Sequence, residues 1–202
     1  LVVLAADRRG YGQLCRLITR GRRAAPKGSY RLTRSDVVEF ISPLHCLVLW
    51  VPRPADLTVQ DSTGWLHEHF HGAAWIAVEL LRDGTERAHL ATLTRLSIET
   101  GLPLVAAGGV CMHLRERRRL HDALTAIRLN TTVDAAGLEL LPCGERHLRE
   151  RHRLARLYPP ALLAETRVIA ARCRFSLDEL RDRKSTRLNS SHVSESRMPS
   201  SA

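Results

Sequence analysis

Residues Leu102 to Leu129 read LPLVAAGGVCMHLRERRRLHDALTAIRL. The run from Pro103 to Ala107 is apolar and short, the right length for a buried strand. Gly108 and Gly109 break it. Beyond them Leu120, Leu124 and Ile127 recur at helical spacing, with Arg115, Arg118, Arg119 and Asp122 mostly off that stripe, which predicts an amphipathic helix. The order is strand, glycine turn, helix. In α/β barrels the residues just past a strand's C-terminal end line the mouth where chemistry is done. Here those residues are Gly109, Val110, Cys111, Met112 and His113.

The chain upstream has the same rhythm. Leu1 to Ala5 reads as a buried strand, and Asp7 is placed to cap a helix whose Tyr11, Leu14, Leu17 and Ile18 share a face. Gly21 to Tyr30 is a basic loop with glycine and proline. Thr33 stands three residues before Asp36, a capping arrangement for a short helix through Val37, Val38 and Phe40. Cys46 to Val51 gives a second strand, stopped by Pro52 and Pro54. A short helix around Trp65 and Leu66 leads to a third strand, Trp75 to Leu80. Glu86 to Thr100 is a helix with Leu90, Leu93 and Ser97 inward and Gly101 as its C-terminal cap. Strands alternating with helices predict parallel pairing and the α/β class. Four strands do not close a barrel, so the expectation is part of one. After Leu129 comes a basic stretch at 145–156, ERHLRERHRLAR, then the break Tyr158-Pro159-Pro160 and a helix from Ala161 to Cys173 along Leu162, Thr166, Ile169 and Cys173.

The 202 residues suffice for one sizeable core. There is no run of about 18 apolar residues, which excludes a transmembrane helix and a membrane role of that kind. Leu1 stands inside a strand-like run where a natural chain begins with Met, so the N-terminus reads as cut. The net charge of +10 favours a polyanionic partner such as nucleic acid; an arginine-rich source proteome is the alternative. Five cysteines without a C-x-x-C pair indicate neither a zinc ribbon nor a disulfide framework, and fit a reducing cytoplasm. Residues 184–202, KSTRLNSSHVSESRMPSSA, have no periodicity and read as a disordered tail, a translated sequencing-adapter artefact. The tail holds three basic residues and one acidic, leaving +8 on the rest.

Several strings carry a resemblance: LAADRRGYGQLCRLITRGRRAAPKGSYRLT at the start, the glycine turn Gly108-Gly109-Val110-Cys111-Met112-His113, and GERHLR, LYPP, LLAET and RCRFSLDEL toward the end. The chain resembles bacterial error-prone DNA polymerases of the DnaE type, relatives of the DNA polymerase III alpha subunit, over roughly residues 1–181. The resemblance implies a partial PHP-type domain, a distorted β/α barrel, over residues 1–129. It implies a helical link toward the polymerase palm at 130–183. For the parent protein it implies DNA-directed DNA synthesis during translesion repair, with DNA and other translesion or replication subunits as partners and divalent Mg in the palm. No cofactor is expected in this segment.

In that family the turn reads G-D-V-H-M-H, and its Asp and first His complete a metal cluster. Gly109 and Cys111 replace both here, so neither a catalytic residue nor a metal site is expected, with His113 a weak candidate ligand. Cys111 and His113 alone do not make a tight site. His67, His69 and His71 form an H-x-H-x-H string in which only His67 and His71 share a helix face, and they read as a surface cluster. Glu79, at a strand end, is read as structural before catalytic. Arg115, Arg117, Arg118, Arg119, Arg146 and Arg149 are the candidate nucleic-acid contacts, together with Arg151, Arg153 and Arg156; a solvated face is the competing reading. Cys15 and Cys173 read as core. Two alternatives stand beside the polymerase segment: a PHP-type metal-dependent phosphoesterase, and a nucleic-acid or protein binding module.

Overall fold

A computed structural model describes residues 1–52 and 59–181. The expected breaker Pro54 and the tail at 184–202 lie outside the described residues. Four strands, β1 (Val2–Ala5), β2 (Cys46–Trp50), β3 (Ala74–Glu79) and β4 (Leu104–Ala107), form one sheet in that order. Helices α1 (Arg8–Arg23) and α2 (Arg34–Phe40) join β1 to β2. Single helices α3 (Val59–Phe70) and α4 (Glu86–Thr100) make the next two connections. Helices α5 (Arg118–Leu129), α6 (Val133–Ala136), α7 (Arg151–Leu157) and α8 (Pro160–Arg172) follow.

The caps form as the side chains dictate. Asp7 accepts from the Gly10 N–H at 2.8 Å. Thr33 and Asp36 make a reciprocal capping box. Gly101 closes α4 in the left-handed region, φ 71°.

The α/β class holds, but the expected all-parallel pairing does not. β2, β3 and β4 are parallel, while β1 runs antiparallel to β2. One helix between two strands restores the strand direction; the pair α1 and α2 adds a further reversal. β1 is also an edge strand with Val2 exposed, not the buried strand expected.

Strand alternation divides the core. On one face Cys46, Val48, Trp50, Ile76 and Val78 meet Leu17 of α1, Val37 of α2, Leu66 and Phe70 of α3, and Leu93 and Leu96 of α4. On the other, Leu47, Trp75, Ala77 and Val105 meet Ile169 of α8 and Cys173 just past its end. The Trp75 indole N–H donates to Glu165 at 2.8 Å, and the Arg172 guanidinium lies 5.2 Å from the Trp75 ring centre.

Helix α5 departs from its expected role. Leu120, Leu124 and Ile127 are 51%, 57% and 73% exposed, and the helix buries Asp122, Thr125 and Ala126 instead. It is α8 that packs against β4, while α5 packs on α6. Ile18 and Cys15, expected on the inner face of α1, are exposed as well.

Candidate functional site

Parallel pairing brings the C-terminal ends of β3 and β4 side by side, with Glu79 in register with Ala107. Tyr158 ties these ends together. Its hydroxyl donates to the Ala107 carbonyl at 2.6 Å and accepts from the Leu80 N–H at 3.1 Å. Burial raises the Tyr158 phenol above its ordinary value, so it stays a donor at neutral pH. In the sequence this tyrosine shows only as part of the break Tyr158-Pro159-Pro160. Its signal was a lone aromatic ahead of two prolines, which does not announce a partner 51 positions away.

The turn after β4 is zipped to the segment after Gly144. The Cys111 and Met112 N–H groups donate to the Arg146 carbonyl at 2.9 and 3.2 Å, and the Leu148 N–H donates to the Met112 carbonyl at 3.1 Å. This pairing delivers the Arg146 side chain to the strand ends. Its guanidinium donates to the Glu79 carboxylate at 2.9 Å and to the Gly109 carbonyl at 3.3 Å. The Glu79 side chain is only 15% exposed, so the arginine supplies the charge that water cannot reach to screen. Gly109 has φ 51°, and a Cβ there would run into both the Arg146 guanidinium and the Glu79 carboxylate. Glycine is required twice, by its backbone and by its neighbours.

Neither Cys111 nor His113 is buried in this arrangement. The Cys111 thiol lies 3.3 Å from the Gly109 carbonyl. Beside the mouth opens a cleft of about 390 Å³ lined by Glu79, Asp83, Glu86, His89 and Arg146, with Val51 and Pro52 on its apolar side. Among the described residues no three His, Cys, Asp or Glu side chains lie together in a way that could hold a metal ion. The residues present do not fit the metal cluster that the family's turn would complete: one ligand position has no side chain, and a guanidinium fills the space beside it. The histidine string behaves as its spacing implies. His67 and His71 meet edge to face at 5.1 Å, while His69 turns to Trp65 at 5.8 Å.

The arginine candidates divide. Arg115 faces Glu145 at 3.3 Å, Arg118 faces Asp122 at 3.5 Å and donates to the Leu141 carbonyl at 2.7 Å, and Arg146 is spent on Glu79. Arg149, its side chain 5% exposed, donates to the Leu80 and Glu145 carbonyls. Arg117, Arg119, Arg151, Arg153 and Arg156 are all exposed, and none of these five makes an ion pair among the described residues.

No family model matches the chain. Individual relatives do. Over 185 residues, 90% of this chain, it is 54% identical to the error-prone DNA polymerase of Dechloromonas aromatica. The chain is similar to one segment of the error-prone DNA polymerases. The corresponding protein of Methylococcus capsulatus is 52% identical over 183 residues, and that of Pseudomonas paraeruginosa 49% over 181, each again across 90% of this chain. The chain spans about 18% of the Dechloromonas protein's length and 17% of the other two.

Proposed function

We propose that this chain is a segment of an error-prone DNA-directed DNA polymerase, a nucleotidyltransferase acting in translesion synthesis after DNA damage, and that the segment is a structural platform within it. The observation that carries the reading is 46–54% identity over 90% of the chain to proteins named as error-prone DNA polymerases. Residues 1–129 are read as the latter part of a PHP-type domain and 130–183 as the link toward the palm. The mixed sheet and its helix connections are compatible with an incomplete barrel of that type. DNA is the partner that the reading implies, with other translesion or replication subunits beside it, in the cytoplasm. Among the described residues no helix is long and apolar enough to cross a membrane. The Mg²⁺ of polymerase chemistry is assigned to no residue of this chain.

The strand-end mouth supports a platform over a phosphoesterase. A metal-dependent hydrolase needs several oxygen and nitrogen ligands converging on one point to lower the pKa of a bound water. Here the convergent point holds Arg146 paired with Glu79. The test is primer extension on a lesion-bearing template. The full-length protein that carries this segment is expected to extend past the lesion, and the 202-residue chain alone to add no nucleotide. In the full-length protein Arg146→Gln is expected to lower thermal stability while keeping most of kcat. A full-length protein without template-directed synthesis would overturn the reading.

A further inference from the structure

A second cleft, of about 460 Å³, is lined by Arg82, Glu145, Arg149, Arg153, Arg156 and Leu157. Four of its six lining residues are arginines and one is acidic. That carboxylate is already committed, with Arg115 at 3.3 Å and Arg149 at 4.0 Å. Arg149 forms a fixed floor: its guanidinium donates to the Leu80 carbonyl at 3.0 Å and to the Glu145 carbonyl at 3.2 and 3.0 Å, with further N–H donors left over.

Arg153 and Arg156 stand three residues apart on α7, and Arg149 lies just before the helix, ahead of its extended cap residue Glu150. Like charges so placed repel. Among the described residues no ion pair or side-chain hydrogen bond relieves Arg82, Arg153 or Arg156. Arg82 is held at φ 56°, a left-handed conformation that a non-glycine residue seldom adopts, in the loop that brings it to the cleft. A concave place with uncompensated guanidinium groups over a rigid arginine floor is suited to an anion with several acceptor oxygens.

We propose that this cleft holds a backbone phosphate of a DNA strand. The proposal rests on the polymerase reading for its choice of ligand. It moves the nucleic-acid contact away from Arg115, Arg118 and Arg146, which are occupied within the fold, to Arg82, Arg153 and Arg156.

The experiment measures binding of a fluorescein-labelled single-stranded oligonucleotide to the full 202-residue chain by anisotropy, over a salt titration. Arg153→Ala with Arg156→Ala is expected to weaken binding about tenfold at low salt. It should also flatten the log–log salt dependence by roughly 0.7, the loss of one phosphate contact on a single strand. The control is Arg8→Ala with Arg9→Ala, an equal loss of charge at the start of α1. These residues sit beside the end of β1, which pairs with the start of β2 at the opposite end of the sheet. The control is expected to weaken binding less than about twofold once its charge is matched by salt. Circular dichroism verifies that each variant folds. Equal effects of the two pairs, or no effect of the first, would overturn the site while leaving the polymerase reading to its own primer-extension test. Inorganic phosphate at matched ionic strength is the last arm: it is expected to leave the oligonucleotide bound, and displacement would reassign the cleft to a free phosphate compound.

Discussion

Arg146 and residue 109 share one volume at the strand ends, and that sharing is measurable. Gly109→Ala places a methyl group against the Arg146 guanidinium and the Glu79 carboxylate, at a backbone φ of 51° that alanine resists. The expected cost is about 1–3 kcal/mol of unfolding free energy. Arg146→Ala removes the clash but strips Glu79 of its partner, so it too destabilises. The double substitution should cost clearly less than the sum, with a coupling of about 0.5–3 kcal/mol in denaturant unfolding. Strict additivity would show that the two residues do not meet. A second residue, Asp36, sets an acid limit. Hydrogen bonds from Thr33 and from Arg20 lower its carboxyl from 3.8 to about 2. Because the folded value lies below the unfolded one, the stabilisation is complete above about pH 4 and is lost as pH falls toward 2. Asp36→Asn should remove that part of the acid sensitivity, read as a smaller fall in melting temperature between pH 4 and pH 2 than in the parent.

Among the elements, burial decides which hydrophobic residues matter, and it reverses the expectation for α5. Leu120→Ser and Leu124→Ser are expected to change stability by no more than about 0.5 kcal/mol each, since both side chains face solvent. Leu66→Ala in α3, fully buried under the sheet, should cost about 2–5 kcal/mol. Thermal unfolding of the three variants separates the two classes. Helix α4 was legible in the sequence at both ends because its limits are local: an acidic first turn at Glu86 and a left-handed glycine at 101. The four strands were legible for the same kind of reason, as short apolar runs between breakers. The direction of β1 was not: both helices between β1 and β2 show in the sequence, but not that the chain reverses across them before β2. Periodicity located α5 as a helix but not the face it buries. What it could not supply was the position of α8 on the sheet, because the residues that put it there, Glu165 and Ile169, act on Trp75 and Val105 from far along the chain.

Across the whole molecule, the segment after Gly144 returns to the strand ends and closes them. Arg146, Arg149 and Tyr158 reach Glu79, Leu80 and Ala107 over separations of 67, 69 and 51 residues, which no local pattern encodes. Sequence shows Gly109 without a side chain to offer; the Arg146 guanidinium that fills the space beside it is seen only in the fold. This closed mouth is expected to carry no metal-dependent hydrolysis and to serve the fold. Elemental analysis of the purified 202-residue chain, paired with a phosphodiester hydrolysis assay in zinc and in manganese, tests it most directly. The predicted result is substoichiometric metal and no hydrolysis, unchanged by Gly109→Asp with Cys111→His. Stoichiometric metal with hydrolysis, both lost on Cys111→Ser, would show a working metal site at the mouth instead.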